Sequence, residues 1–173
     1  MLVVEGPDGS GKTTLVKQLS EMYKLIPVKR DMESEVSAYQ WMIDELQTWQ
    51  INSPIKIYDR FPLIGERIHG PILRQQMELA FYDREAMKLL LMRVVLDGLI
   101  IYCRPTLGHI LANTVDESPQ IVANLRRIVH AYDRLFRRIP HVKFSYHIHS
   151  LGILDEPIRT HLSRWKANEM ENR

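Results

Sequence analysis

The chain has 173 residues and a formal charge of +2, which suits one domain spanning 1–173 with room for a sizeable core. No apolar run approaches a membrane span, residues 89–96 included, and Glu5 and Asp8 argue against a secretory leader. The single cysteine, Cys103, excludes an internal disulfide and fits a reducing, cytoplasmic setting.

In chain order, residues 2–5 predict a short buried strand. A helix follows from Thr13 to about Tyr23, with Leu15, Leu19 and Met22 on one face. Residues 25–29 predict a second strand, which Pro27 places at a sheet edge. Residues 33–51 read as a helix carrying Trp41, Leu46 and Trp49; residues 55–59 read as a strand delivering Asp59 and Arg60 at its end. The segment 61–71, with its glycines and prolines, reads as loop. Helices are predicted over about 72–82 and 84–96. The second is apolar over most of its circumference, the pattern of a helix covered by other elements or by a second subunit.

Gly98 ends that run, and residues 99–103 predict another buried strand, closed by Arg104 and Pro105. Residues 106–118 hold Gly108 and Asn113 and read as a mobile segment. From 120 to 139, Leu125, Ile128, Val129, Tyr132, Leu135, Phe136 and Ile139 recur at helical spacing until Pro140. Residues 142–148 alternate: Val142, Phe144, Tyr146 and Ile148 face one way, Lys143, Ser145 and His147 the other. An amphipathic segment over about 156–171 follows. Strands separated by helices predict an α/β fold with a mostly parallel sheet covered on both faces, and ligands at the C-terminal strand ends.

The most specific signal is residues 6–13, Gly-Pro-Asp-Gly-Ser-Gly-Lys-Thr, set between strand and helix as a phosphate-binding loop. Glycines 6, 9 and 11 let successive N–H groups curl around an anion, and the following helix adds its positive end. Lys12 is expected to reach the β- and γ-phosphates of a nucleoside triphosphate, and the Thr13 hydroxyl to ligate magnesium. Gly6, Asp8, Gly9, Ser10, Gly11, Lys12, Thr13 and Thr14 form the expected ATP-contacting set.

Asp59 and Arg60 make the next strand end chemically rich. Asp59 can hold magnesium through water or take a proton from an acceptor hydroxyl, and Arg60 can grip an oxyanion with its fork; a structural pair is the alternative. Asp8 is an odd choice beside a triphosphate, because like charges repel, unless it points to the hydroxyls of a second substrate or caps the loop. Arg30 either binds an acceptor phosphate or faces solvent.

Transfer to a small acceptor needs a lid that excludes water, and residues 105–120 are the candidate. Arg104, Arg126 and Arg127 flank it and are expected to stabilise charge on the transferred group. Five arginines between 126 and 138 suit phosphate-rich partners or a solvated helix face. Trp41, Trp49, Tyr39 and Phe61 could stack on a base or fill the core. His147 and His149, with His141 nearby, have metal-like spacing, but no third ligand is fixed.

On these residues the chain resembles the thymidylate kinase branch of the P-loop nucleotide kinases. Residues 4–14 are close to that family's Glu-Gly-x-Asp-Gly-x-Gly-Lys-[Ser/Thr]-Thr, and Asp59-Arg60-Phe61 matches its Asp-Arg-[Tyr/Phe]. The resemblance implies the P-loop kinase fold, a five-stranded parallel sheet in 2-3-1-4-5 order with helices on both faces and a short lid. It implies phosphorylation of a deoxynucleoside monophosphate, dTMP to dTDP, with ATP and Mg2+. Asp8 would then lie near the sugar, Arg60 and Arg30 on the acceptor phosphate, and Asp59 and Phe61 in the same acceptor site. The expected catalytic set is Lys12, Asp59, Arg60, Arg104 and Arg126, the expected metal pair is Thr13 and Asp59, and family dimers suggest a homodimer.

The chain departs from that family in three ways. It is shorter; its second strand runs into Lys29-Arg30-Asp31-Met32; and residues 105–125 contain no arginine. In this compactness it is similar to small thymidylate-kinase-like proteins of bacteriophages, which would place it in a host cytoplasm. Some relatives of that sort act on unusual nucleotides or on modified bases in DNA. The acceptor therefore stays open between a free nucleotide, a deoxynucleoside and a hydroxymethylated pyrimidine in DNA. A non-catalytic nucleotide-binding regulator is the reading from another class.

Overall fold

A computed structural model describes residues 1–30, 36–48, 54–74, 84–114 and 116–171. Its elements in chain order are β1 (Leu2–Glu5), α1 (Lys12–Tyr23), β2 (Ile26–Val28), α2 (Ala38–Thr48), β3 (Lys56–Asp59) and α3 (Pro62–His69), which runs on into a π-helical turn over Gly70–Arg74. Then come α4 (Arg84–Asp97), β4 (Leu99–Cys103), α5 (Leu107–Ala112), α6 (Pro119–Phe136), β5 (Val142–Phe144), a 3-10 turn (Leu151–Leu154) and α7 (Asp155–Glu171).

All strand pairs are parallel, in the order β2-β3-β1-β4-β5. In register, Leu2 lies between Ile57 and Leu99, and Val4 between Asp59 and Ile101. β1 therefore sits at the centre, and the phosphate loop leaves it between the ends of β3 and β4. The expected fold class and strand order are the ones observed, and Pro27 lies on the edge strand where its missing N–H removes no central bond.

Alternate residues of the buried strands feed two core layers. Val3, Tyr58, Ile100 and Tyr102 face Met42, Ile64, Val94, Ile128 and Phe136 on α2, α3, α4 and α6. Leu2, Val4, Ile57, Ile101 and Phe144 face Leu15, Val16 and Leu19 on α1 and Ile158 on α7. Among the described residues no helix is long and apolar enough to cross a membrane.

Several local expectations need correction. Met22 is 54% exposed, and Val16 takes its place on the buried face of α1. The predicted loop over 61–71 is mostly helix. Pro62 occupies the first turn, where its lacking N–H costs nothing, the Phe61 carbonyl accepts from the Ile64 and Gly65 N–H groups, and Leu63, Ile64 and Ile68 are buried. The burial of those three side chains outweighs the local Gly and Pro content.

α4 is covered on one side only, since Leu89, Met92 and Leu96 are 67%, 56% and 77% exposed. The last strand stops at Phe144: the Ser145 carbonyl accepts from the Ile148 and His149 N–H groups, which closes a turn and breaks the predicted alternation. Trp49, most of the predicted helix over 72–82, and the ends of the one predicted over 33–51 lie outside the described residues.

Candidate active site

The phosphate loop takes its shape from backbone that only glycine adopts freely. Gly9 has φ +72°, and a Cβ there would lie 2.6 Å from Thr114 Cγ2 and 2.7 Å from the Ile110 carbonyl oxygen. Gly6 approaches β4 so closely that a Cβ would meet the Cys103 carbonyl oxygen at 2.4 Å. The loop is thus clamped between β4 and the segment after α5. Lys12 begins α1 and donates from Nζ to the Pro7 carbonyl at 2.7 Å. Burial and then the nearby Arg60 guanidinium push its ammonium down to about 8.

Thr13 and Thr14 are exposed on the first turn of α1, at the mouth of the loop. The Thr13 hydroxyl donates to Asp59 Oδ2 at 2.6 Å, which joins the loop to the end of β3. A hydroxyl and a carboxylate in that arrangement fit magnesium as an oxygen-donor pair. Ser10 Oγ is buried without a hydrogen-bond partner inside the glycine-lined cradle, and it fits an anion as an additional donor. Of the expected ATP-contacting residues, Asp8, Gly9, Gly11, Lys12, Thr13 and Thr14 line one concavity, while Gly6 packs on β4 with Ser10 buried beside it.

Arg60 adopts φ +69°, a left-handed conformation that a non-glycine residue holds only under surrounding constraint, at a cost of about 1–3 kcal/mol. Its N–H donates to the Val4 carbonyl at 3.0 Å, and its guanidinium forms an ion pair with Asp8 Oδ1. Burial opposes the charge of Asp8, but Arg60 and Lys12 outweigh it and hold the carboxyl below the usual range. Asp8 Oδ2 is buried with no hydrogen-bond partner. His69 Nδ1 lies 3.9 Å from it, but burial and Arg60 pull that imidazole down to about 4, so it faces Asp8 as a neutral ring.

Behind this pair sits a group to which the sequence reading gave no role in the site. Glu5 is fully buried; its Oε1 accepts the Phe61 N–H at 2.7 Å and its Oε2 accepts the Tyr132 hydroxyl at 3.2 Å. Burial pushes its carboxyl up to about 7 against the pull of Phe61 N–H, Arg60 and Lys12. Tyr132 also lies 3.3 Å from His69 Nε2, so Glu5, Tyr132, His69, Asp8 and Arg60 form one chain of polar contacts. Glu5 was visible as an acid closing an apolar run. His69 and Tyr132 gave no such signal, because only the fold brings α3 and α6 to β1.

Two clefts adjoin here. One, of about 600 Å³, is lined by Asp8, Gly9, Gly11, Lys12, Thr13 and Thr14 of the phosphate loop together with Asn113 and Glu117. The other, of about 250 Å³, is lined by Arg30, Pro62, Gly65, Glu66, His69, Leu73, Arg74 and Ile121. Asp8, Lys29, Asp59 and Arg60 line both. Arg30 thus faces the second cleft and donates to the Val36 carbonyl at 3.2 Å; Arg74 is ion-paired with Glu66.

Four expected site residues lie elsewhere. The Phe61 side chain is fully buried against Trp41 and Tyr58 and lines neither cleft. Arg104 is held by Asp133 through two bonds of 2.8 and 2.9 Å, with a third to its neighbour's carbonyl, that of Pro105. Arg126 and Arg127 line a separate groove between α3 and α6.

The segment expected to be a lid contains α5, capped by Thr106, with Ile110 buried against Leu125 and Val129; Val115 is outside the described residues. Of this segment, Asn113 and Glu117 reach the phosphate-loop cleft, and neither is a cation. His147 stacks on His109 with ring centroids 3.2 Å apart, His141 packs against Tyr102 and Phe136, and His149 Nδ1 accepts the Ser145 N–H. The histidines are therefore dispersed by the turn after β5.

No protein-family model and no curated protein matches the chain. Solved structures do. The YorR protein from Bacillus subtilis, in complex with phosphorylated GDP, matches with TM-score 0.66 at 14% identity, covering 96% of this chain and 97% of its own. Shikimate kinase from Acinetobacter baumannii, in complex with shikimate, matches with TM-score 0.57 at 15% identity, covering 94% and 93%. Deoxyadenosine kinase from M. mycoides, with bound dATP, matches with TM-score 0.53 at 13% identity, covering 94% and 98%. With its parallel sheet in 2-3-1-4-5 order and a glycine loop at the end of the central strand, the chain has the P-loop kinase fold.

Proposed function

We propose that this protein transfers the γ-phosphoryl group of ATP to a deoxynucleoside monophosphate, with dTMP as the first acceptor to test. One observation carries the reading: Asp8, Lys29, Asp59 and Arg60 form a wall common to the phosphate-loop cleft and its neighbour. A donor in one cleft and an acceptor in the other would meet at that wall, which suits direct transfer between positioned substrates. Lys29, Arg30, Arg60 and Arg74 bring cationic groups to the second cleft, as a phosphorylated acceptor requires.

The roles follow from position. Lys12 and the loop N–H groups bind the phosphates of the donor, and Thr13 and Asp59 would hold magnesium, which when bound neutralises charge on those phosphates. Asp8, with one carboxylate oxygen paired to Arg60 and the other free, accepts a hydrogen bond from an acceptor hydroxyl. Arg60, fixed by its own backbone and by Asp8, faces the acceptor phosphate. Arg104 and Arg126 lie outside both clefts and carry no role in this scheme.

A specific observation favours a second reading, an unphosphorylated nucleoside acceptor: Arg60 and Arg74 already hold the carboxylates of Asp8 and Glu66. The deciding experiment is phosphoryl transfer from labelled ATP with magnesium, run side by side on dTMP, the other deoxynucleotides, thymidine and DNA with normal or hydroxymethylated pyrimidines. Transfer to a free monophosphate supports the first reading. Transfer only to nucleoside or only to DNA keeps the donor half and replaces the acceptor half.

A further inference from the structure

We propose that the groove between α3 and α6 binds the sugar–phosphate backbone of single-stranded nucleic acid. This goes beyond phosphoryl transfer and does not depend on it. The groove has a volume of about 620 Å³. Its rim is formed by Arg67 from α3, by Arg126, Arg127, His130 and Arg134 from α6, and by Arg138 just past the end of that helix, and among the described residues no carboxylate lines it. The whole chain balances 23 lysines and arginines against 21 acids, so a wall of arginines with no acid among the described residues that line it is a local concentration of charge.

Spacing argues for a linear ligand with regularly placed charges. Positions 126, 130 and 134 follow one ridge of α6, at steps of about 6 Å along the helix axis, and Arg138 follows just beyond the helix end in the same groove. That step is comparable to the separation of successive phosphates in an extended strand. The residues are exposed, and among the described residues none of Arg67, Arg126, Arg134 and Arg138 has a carboxylate within ion-pair distance. Arg127 is engaged by Asn124 at 2.9 Å. Guanidinium forks match phosphate oxygens, and their planes stack on bases.

The floor argues against a purely ionic ligand. Ile68 and Leu135, with the turn at Pro71 and Ile72, give the groove an apolar base. Sugar and base faces can lie on such a surface, whereas an acidic peptide carries its charge on flexible stems and offers no flat face. The groove is also separate from the phosphate loop: the turn Gly70–Arg74 stands between it and the acceptor-side cleft, with Pro71 and Ile72 on one side and Leu73 and Arg74 on the other.

The test is fluorescence anisotropy with a labelled twelve-residue oligothymidylate, titrated with the full chain at several salt concentrations. The wild-type protein is expected to bind, with affinity falling as salt rises by a log–log slope of about −0.7 per phosphate contacted. Arg134→Ala with Arg138→Ala is expected to weaken binding at least tenfold at low salt and to flatten the slope by about 1.4. The corresponding Lys pair should restore most of the salt-dependent part, while Lys12→Ala should bind as wild type. Both arginines are exposed, and circular dichroism melts confirm that each variant is folded before titration. Four results would overturn the proposal: no salt-dependent binding by the wild type, no effect of the double alanine variant, an oligoaspartate of equal charge competing as well as the strand, or a loss in Lys12→Ala as large as in the arginine pair.

Discussion

The Thr13 hydroxyl donates to Asp59 Oδ2 at 2.6 Å, so the first turn of α1 and the C-terminal end of β3 share one bond across 46 residues of chain. Together with the Arg60–Asp8 ion pair, it ties the phosphate loop to the Asp-Arg strand end. Asp59→Asn keeps an acceptor for Thr13 but removes the charge. We expect phosphoryl transfer to fall by about a hundredfold or more while the melting temperature changes little. Steady-state turnover and a thermal melt on the same preparation check both halves.

In the proposed reaction Lys12 supplies the charge that the loop N–H groups lack. Lys12→Ala is expected to cut turnover by about 10²–10³ or more, with the far-ultraviolet spectrum unchanged. Normal turnover would remove the phosphate loop from the reaction.

Arg60 separates the two acceptor readings. If it faces an acceptor phosphate, Arg60→Ala raises the KM for dTMP by about tenfold or more and leaves thymidine almost unaffected. An equal loss with both acceptors would assign Arg60 to holding Asp8, its ion-pair partner, in place.

Glu5 predicts a pH dependence of stability. Burial raises its carboxyl to about 7 from an ordinary value of 4.5. The folded protein therefore keeps the proton to higher pH than the unfolded chain does. The stability this provides is full below about 4.5 and is lost as pH rises through about 7. Glu5→Gln preserves an acceptor for the Phe61 N–H and carries no charge. Its stability relative to wild type should rise between pH 5 and pH 8, by an amount on the order of 1–3 kcal/mol. Denaturant melts of both proteins across that range measure the difference, and a constant difference would mean that Glu5 ionises normally.

Gly9 tests the clamp on the loop. With φ +72° and Thr114 and Ile110 closing on its missing side chain, Gly9→Ala should lower stability by about 1–3 kcal/mol and weaken ATP binding. A melt and nucleotide-binding calorimetry check the two effects separately.

The sequence by itself determined the parallel α/β layout and the phosphate loop, because both rest on local pattern. Apolar strands bounded by helical periodicity can pack only in a few ways, and the spacing of Gly6, Gly9, Gly11 and Lys12 is its own instruction to the backbone. The order of strands came from resemblance to a known family and matches what is observed. What sequence reading could not supply was the set of neighbours each charge would find.

Tertiary structure decided that Arg104 is held by Asp133, that Arg126 lies in a groove away from the clefts, and that Phe61 is buried in the core. It also brought Glu5, His69 and Tyr132, 63 and 127 residues apart along their contacts, behind the Asp8–Arg60 pair. The physical reason is that a side chain's role depends on its field, its solvation and its partners. Those are fixed by long-range packing, which turned the apparent loop after Arg60 into a helix and carried His69 into the site.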